Sequence, residues 1–188
     1  MNKQPEQTAR TRQTIIDAFW ELAKESGLHK VTVSAITKKA SLNRGTFYVY
    51  FSDMEDLLRQ AESDIIHDFQ AQMFTILSQE GFPEMNAVSM KLLEFFALYD
   101  DKVFLLLGKN GDPNFLSLIR KEAAKVYAQI LSPLEPLPHK EYIIAYVTSA
   151  LTGILTYWHD TGRKIPVGEL VQISRSLATT GLIGTIGL

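Results

Sequence analysis

A chain of 188 residues with 46% hydrophobic and 21% charged side chains has the composition of an ordinary globular protein with room for a real core. The absence of cysteine excludes a disulfide scaffold and any thiolate-bound metal, and it suits a reducing cytoplasm, the expected location. The net charge of −2 hides a split, because residues 1–51 carry eight basic against four acidic side chains, a net +4, while the remainder sums to −6. A basic head on an acidic body points to a polyanion met by the head alone.

The opening residues lack the apolar stretch of a secretory signal. The longest uncharged apolar run, Tyr142 to Trp158, is short for a membrane span and is interrupted by Thr148, Ser149, Thr152, Gly153 and Thr156, so a buried helix is expected and no membrane partner. In chain order, Ile15, Ile16, Phe19, Leu22 and Ala23 recur at helical spacing and predict a helix over 7–25, with Gly27 as its stop. Thr32 is placed to cap a two-turn helix through Ala40. A break at Ser41-Leu42 follows, and Asn43 caps a second short helix from Arg44 to Tyr50. The predicted core of this three-helix head is Phe19, Leu22, Leu28, Val31, Val33, Ile36, Ala40, Leu42, Phe47 and Phe51.

A long helix starts at Ser52 or Asp53, striped by Leu57, Leu58, Ile65, Ile66, Phe69, Met73, Ile76 and Leu77, and Gly81 and Pro83 end it. Further helices are expected over 84–99, 102–107, 113–131, 138–160 and 166–180, with Asp112 a cap before Pro113, and Pro138 and Pro166 as openers. The prediction is an all-α fold of about nine helices, with a three-helix, helix-turn-helix head over 1–52 and a helical-bundle body over 53–188.

The sharpest local feature is Asn43-Arg44-Gly45-Thr46-Phe47-Tyr48-Val49-Tyr50-Phe51. Phe47 and Phe51, four apart, face the core together and leave Arg44, Tyr48 and Tyr50 outside, with Gly45 letting the backbone approach a partner. Such side chains suit phosphates and base edges. With Thr32-Val33, Ile36, Ala40 and Leu57-Leu58, this stretch resembles the TetR-family signature across residues 8–58.

The resemblance implies that Arg44–Tyr50 is a recognition helix, with Tyr48 and Tyr50 at phosphate-contacting positions. It also implies that Thr32 binds a phosphate through hydroxyl and amide. The implied DNA-facing set is Thr32, Ser34, Asn43, Arg44, Gly45, Thr46, Tyr48, Val49 and Tyr50, and the partner is a near-palindromic double-stranded operator. Two positions depart from the family pattern. Ser41 stands where glycine is usual, so it either adopts a left-handed backbone or the turn differs. Met54 stands where a lysine commonly opens the long helix, which removes one phosphate contact.

The segment Phe95–Phe115, and Gly153, Tyr157-Trp158 and Gly162 with the final helix after them, resemble a C-terminal subfamily of the same regulators, which implies an effector-binding and dimerising body. Aromatics crowd that body, and most must be core. Phe95, Tyr99, Phe104, Tyr127, Tyr146 and Trp158 are the expected lining of a cavity for a small, largely apolar effector. Ala145, Ser149 and Gly153, with Ser174, Ala178 and Gly181, form small-residue stripes that suit close packing of two helices against their mates in a homodimer.

His29, His67, His139 and His159 show no metal spacing, and Gly181–Gly187 is no dinucleotide-binding turn. No nucleophile–base pair is arguable, so neither enzymatic activity nor a cofactor or metal is expected. The function that follows is a homodimeric, effector-controlled transcriptional regulator, expected to be a repressor although the sequence itself does not distinguish repression from activation. The alternatives are a body that answers to a partner protein, or a small-molecule-binding protein with a vestigial head.

Overall fold

The computed structural model describes residues 3–77, 85–108 and 110–186. Among them are eight α-helices, two short 3-10 turns and no strand. Two compact units divide the chain, Met1–Ile65 and Ile66–Leu188.

In the first unit, α1 (Lys3–Ser26) ends at Gly27, whose φ of 90° a side chain would resist. A 3-10 turn (Leu28–Lys30) then leads to α2 (Val33–Lys39) and α3 (Arg44–Tyr50). Both expected caps form: Thr32 accepts from the Ala35 amide at 3.2 Å, and Asn43 from the Thr46 amide at 2.8 Å. The core is Ile15, Phe19, Ala23, Ile36, Phe47 and Phe51, each at most 1% exposed, with Leu28 and Val31 close behind. Leu22, Val33, Ala40 and Leu42 are only half-buried, whereas Trp20, one turn on from Ile16, is fully buried.

The α2–α3 break shows how Ser41 is accommodated. The Leu42 amide reaches back to the Thr37 carbonyl at 2.9 Å and the Ser41 amide to Lys38 at 3.3 Å, closing a Schellman turn around a left-handed Ser41 (φ 54°). A non-glycine residue in that region costs about 1 to 2 kcal/mol. Glycine gives back part of this through the entropy of its unfolded chain. Ser41→Gly is therefore expected to stabilise the head by about 0.5–1 kcal/mol, read as a higher denaturant midpoint at unchanged slope. An unchanged or lowered midpoint contradicts the strain assigned to Ser41.

The helix α4 (Met54–Leu77) opens with a reciprocal cap: Asp53 accepts from the Asp56 amide at 2.7 Å while the Asp56 carboxylate accepts from the Ser52 amide at 3.0 Å. That backbone bond, with a second from the Gln60 side chain, holds the Asp56 carboxyl below its ordinary pKa. Leu57 and Ala61 are buried in the first unit; Ile66 and Met73 are buried in the second. The expected stops Gly81 and Pro83 lie outside the described residues.

In the second unit, α5 (Met85–Leu107) is one helix where two were expected. The polar run Asp100-Asp101-Lys102 reads as a gap but contains neither glycine nor proline, and Arg163 holds Asp100 at 3.0 Å. The turn after α5 is so tight that a Cβ on Gly111 would lie 1.8 Å from the Leu106 carbonyl oxygen. Asp112 then caps α6 (Pro113–Ile130) by accepting from the Asn114 amide at 2.7 Å. The helix α7 (Lys140–Asp160) starts two residues later than expected, because His139 takes a left-handed backbone (φ 58°). The helix α8 (Val167–Ile186) runs past the expected end at Thr180 and breaks at Gly181 (φ 69°). Helix α6 packs on α7, and α5 on α8, around Val103, Phe104, Leu106, Phe115, Ile130, Trp158, Leu170 and Val171.

Candidate DNA-binding face and effector body

Phe47 anchors α3 with no exposure at all, and its ring meets Phe51 at 5.6 Å. With that side inward, Arg44, Gly45, Tyr48 and Val49 face solvent, Tyr48 47% and Val49 75% exposed. The Arg44 guanidinium donates to the Tyr48 hydroxyl at 3.2 Å and lies 5.7 Å from its ring centroid, so the two form one preassembled donor surface. Ser34 and Lys38 on α2 are also exposed.

Other expected contacts are engaged within the head. Asn43 accepts from both the amide and the hydroxyl of Thr46, and the Thr32 oxygen caps α2. Tyr50 is half-buried, and its carbonyl accepts from Gln60 at 3.4 Å. Lys39 pairs with Glu21 at 2.9 Å and Glu25 at 3.5 Å. The hydrogen bond to Glu21, outweighing partial desolvation, holds its ammonium above the ordinary lysine pKa. Arg12 is likewise held by Asp64 at 2.9 Å and by Gln60 at 3.2–3.3 Å. Which of the head's positive charges are paired within the head depends on the fold; for Lys39 the sequence signal is Glu21 and Glu25, one turn apart on α1.

In the body four of the six expected lining residues fall into two clusters. Phe95 is buried, meets Phe69 edge-on at 5.1 Å and Tyr99 at 5.1 Å, and Tyr99 donates to the Asp68 carboxylate. Phe104 and Trp158 meet edge-on at 4.8 Å, His159 stacks on Phe104 at 5.5 Å, and the Arg163 guanidinium lies 4.2 Å from the Phe104 centroid. The Trp158 indole donates to the Ile165 carbonyl at 2.7 Å, so its polar tip is satisfied inside the chain. Tyr127 is half-buried, and burial pushes its phenol above the ordinary value.

Tyr146 corrects the expected lining. It is 75% exposed on the outward face of α7, beside Tyr142 at 71%, with Tyr157 at 70% farther along that face. The inward face carries Thr148 and Thr152 instead, each 2% exposed and each donating its hydroxyl to the carbonyl four residues back, at 2.8 and 2.9 Å. A buried carboxylate, Glu122, was not foreseen. Burial pushes its pKa up, but hydrogen bonds from Lys125 (2.7 Å) and Gln70 (2.6 Å) outweigh this and leave it below the ordinary value. On sequence alone it sits in an ordinary charged helix face, Arg120-Lys121-Glu122.

The small-residue stripe faces outward in the protomer. Ala145, Ser149, Gly153, Ala178 and Gly181 are exposed and Ser174 is half-buried; a Cβ on Gly153 would meet nothing within 4 Å. Leu182 and Ile183, about two-thirds exposed, extend the apolar surface past the break in α8. Among the described residues no helix is long and apolar enough to cross a membrane.

The capped helices α2 and α3, packed with α1 and followed by a helical body, form a helix-turn-helix head of the kind that places its second helix against DNA. A family model for bacterial regulatory proteins of the tetR family matches residues 15–61, and one for a transcriptional regulator C-terminal region matches residues 84–180. The chain belongs to the TetR family of DNA-binding transcriptional regulators. It is 31% identical over 172 residues to the fatty acid metabolism regulator protein of Bacillus subtilis, covering 92% of this chain and 77% of that protein. Among solved structures, the fatty acid degradation regulator FadR from Bacillus halodurans superposes with a TM-score of 0.72 at 19% identity, covering 92% of this chain and 96% of the other. The regulator FadR from Bacillus subtilis, solved with stearoyl-CoA, superposes at 0.67 and 19% identity, over 90% and 98% of the two chains.

Proposed function

We propose that the chain is a homodimeric repressor that grips a near-palindromic operator through α3 and releases it when a largely apolar, fatty-acyl-type effector enters the body. The observation that carries the DNA-binding half is the preassembled Arg44–Tyr48 surface, held outward by a Phe47 with no solvent exposure. On this reading Thr32, Ser34, Asn43, Gly45, Thr46, Val49 and Tyr50 complete the contact face, with Asn43 and Thr46 acting first on the cap of α3. Dimerisation is assigned to the outward faces of α7 and α8, where Tyr142, Tyr146, Tyr157, Leu182 and Ile183 leave apolar surface uncovered in the protomer.

The effector class rests on the fatty acid metabolism regulator at 31% identity and on the stearoyl-CoA bound to a protein of the same fold. It agrees with a body whose buried side chains are mostly aromatic rings and aliphatic chains, with the Glu122 carboxylate neutralised by Lys125. A ligand shifts the equilibrium only through unequal affinity for the DNA-bound and free states. Stearoyl-CoA at tens of micromolar is therefore expected to raise the thermal midpoint of the free protein and to release it from a duplex recovered by selection from a random library. Free coenzyme A should do neither. A duplex complex indifferent to acyl-CoA of every chain length overturns the effector assignment and favours control by a partner protein.

A further inference from the structure

We propose that Val49 is a specificity-determining residue that reads the 5-methyl group of a thymine in each half-site, an inference resting on the reading of α3 as the DNA-contacting helix. With Phe47 pointing into the core, the positions most nearly opposite on a helix of 100° per residue are Gly45 and Val49, one turn apart on one ridge. Gly45 has no side chain, so Val49 is the protruding point of that ridge and is 75% exposed. Arg44 and Tyr48 flank it on one side.

A valine there needs a reason. It is a poorer helix former than alanine, lysine or arginine, and at this exposure it contributes no core. It can neither donate to a phosphate nor bond a base edge. The apolar group that base edges present in the major groove is the thymine methyl, which gives an isopropyl group a defined mate. Because β-branching leaves one strongly favoured rotamer in a helix, the side chain is fixed before contact and loses little freedom on binding. Gly45 completes the arrangement by letting the ridge approach until the isopropyl group touches the base edge. A Cβ on Gly45 would also press on the capping oxygen of Asn43 at 3.3 Å.

The test uses the full chain and a duplex selected from a random-sequence library, with each thymine replaced in turn by uracil. Uracil keeps every hydrogen-bonding group and removes only the methyl. The expected result is a roughly fourfold loss of affinity per half-site at one symmetry-related pair of thymines, the factor that corresponds to burying one methyl group. Val49→Ala should bind the thymine duplex about as weakly as the wild type binds the uracil duplex, and should not distinguish the two. Its circular dichroism should match the wild type, since the site is exposed and alanine favours the helix. A wild type indifferent to uracil at every position overturns the proposal, and so does a Val49→Ala protein that keeps full sensitivity. Failure to enrich any duplex overturns instead the DNA-binding reading on which the proposal rests.

Discussion

The double variant Arg44→Ala/Tyr48→Ala is expected to lose operator affinity by roughly 1,000-fold while remaining folded. Each half-site loses two contacts worth about 1 kcal/mol apiece, which over a two-fold site amounts to about 4 kcal/mol. The fold should survive because the Arg44–Tyr48 bond is exposed and α3 keeps both its Asn43 cap and its Phe47 anchor. The measurement is fluorescence anisotropy with the selected duplex between 50 and 200 mM salt. The residual binding should be non-specific and steeply salt-dependent, through counterion release by the remaining basic side chains. A double variant within tenfold of wild type would remove α3 from the contact face.

The second large effect concerns assembly. Gly153→Leu is expected to weaken dimerisation by roughly 1,000-fold and yield a protomer of 21.2 kDa by light scattering. In the protomer a side chain at Gly153 meets nothing within 4 Å, and leucine favours the helix over glycine, so the fold itself has no reason to suffer. A close-packed two-fold interface meets the new side chain twice, and overpacking costs of the order of 2 kcal/mol per site. The variant should also lose operator binding, because one head alone grips only half of the site. A dimer of wild-type stability would move the interface off the outward face of α7.

The head was legible because its signals are local. Thr32 and Asn43 stand one residue before the helices they cap, whereas Ser41 leaves a left-handed backbone and a different turn both open until the Leu42–Thr37 bond decides for the first. Trp20 was missed although Ile16, one turn before it, carried the signal. The body was read less well because its signals are distant in sequence. Asp100-Asp101-Lys102 resembles a break until Arg163, 63 residues on, supplies the partner for Asp100. Glu122 resembles a surface charge until Gln70 reaches it from 52 residues away. Tyr146 reads as cavity lining because its polar tip wants a partner, whereas α7 turns tyrosines outward and threonines inward.

That inversion on α7 bears on how such a body can diversify. Thr148, Thr152 and Thr156 each donate to a carbonyl four residues back in their own helix, at 2.8–2.9 Å. Valine at Thr148 or Thr156 preserves the shape and removes a hydroxyl whose partners lie within the helix, and each of those carbonyls is an acceptor that the helix ladder uses in any case. At Thr148 and Thr156 the face can therefore drift among threonine, valine and isoleucine without breaking a tertiary hydrogen bond, whereas Thr152 also accepts from the Arg120 guanidinium at 3.5 Å. The contour at the first two positions is free to be reshaped one methyl at a time under selection, while the caps and the buried carboxylate that hold the scaffold stay as they are.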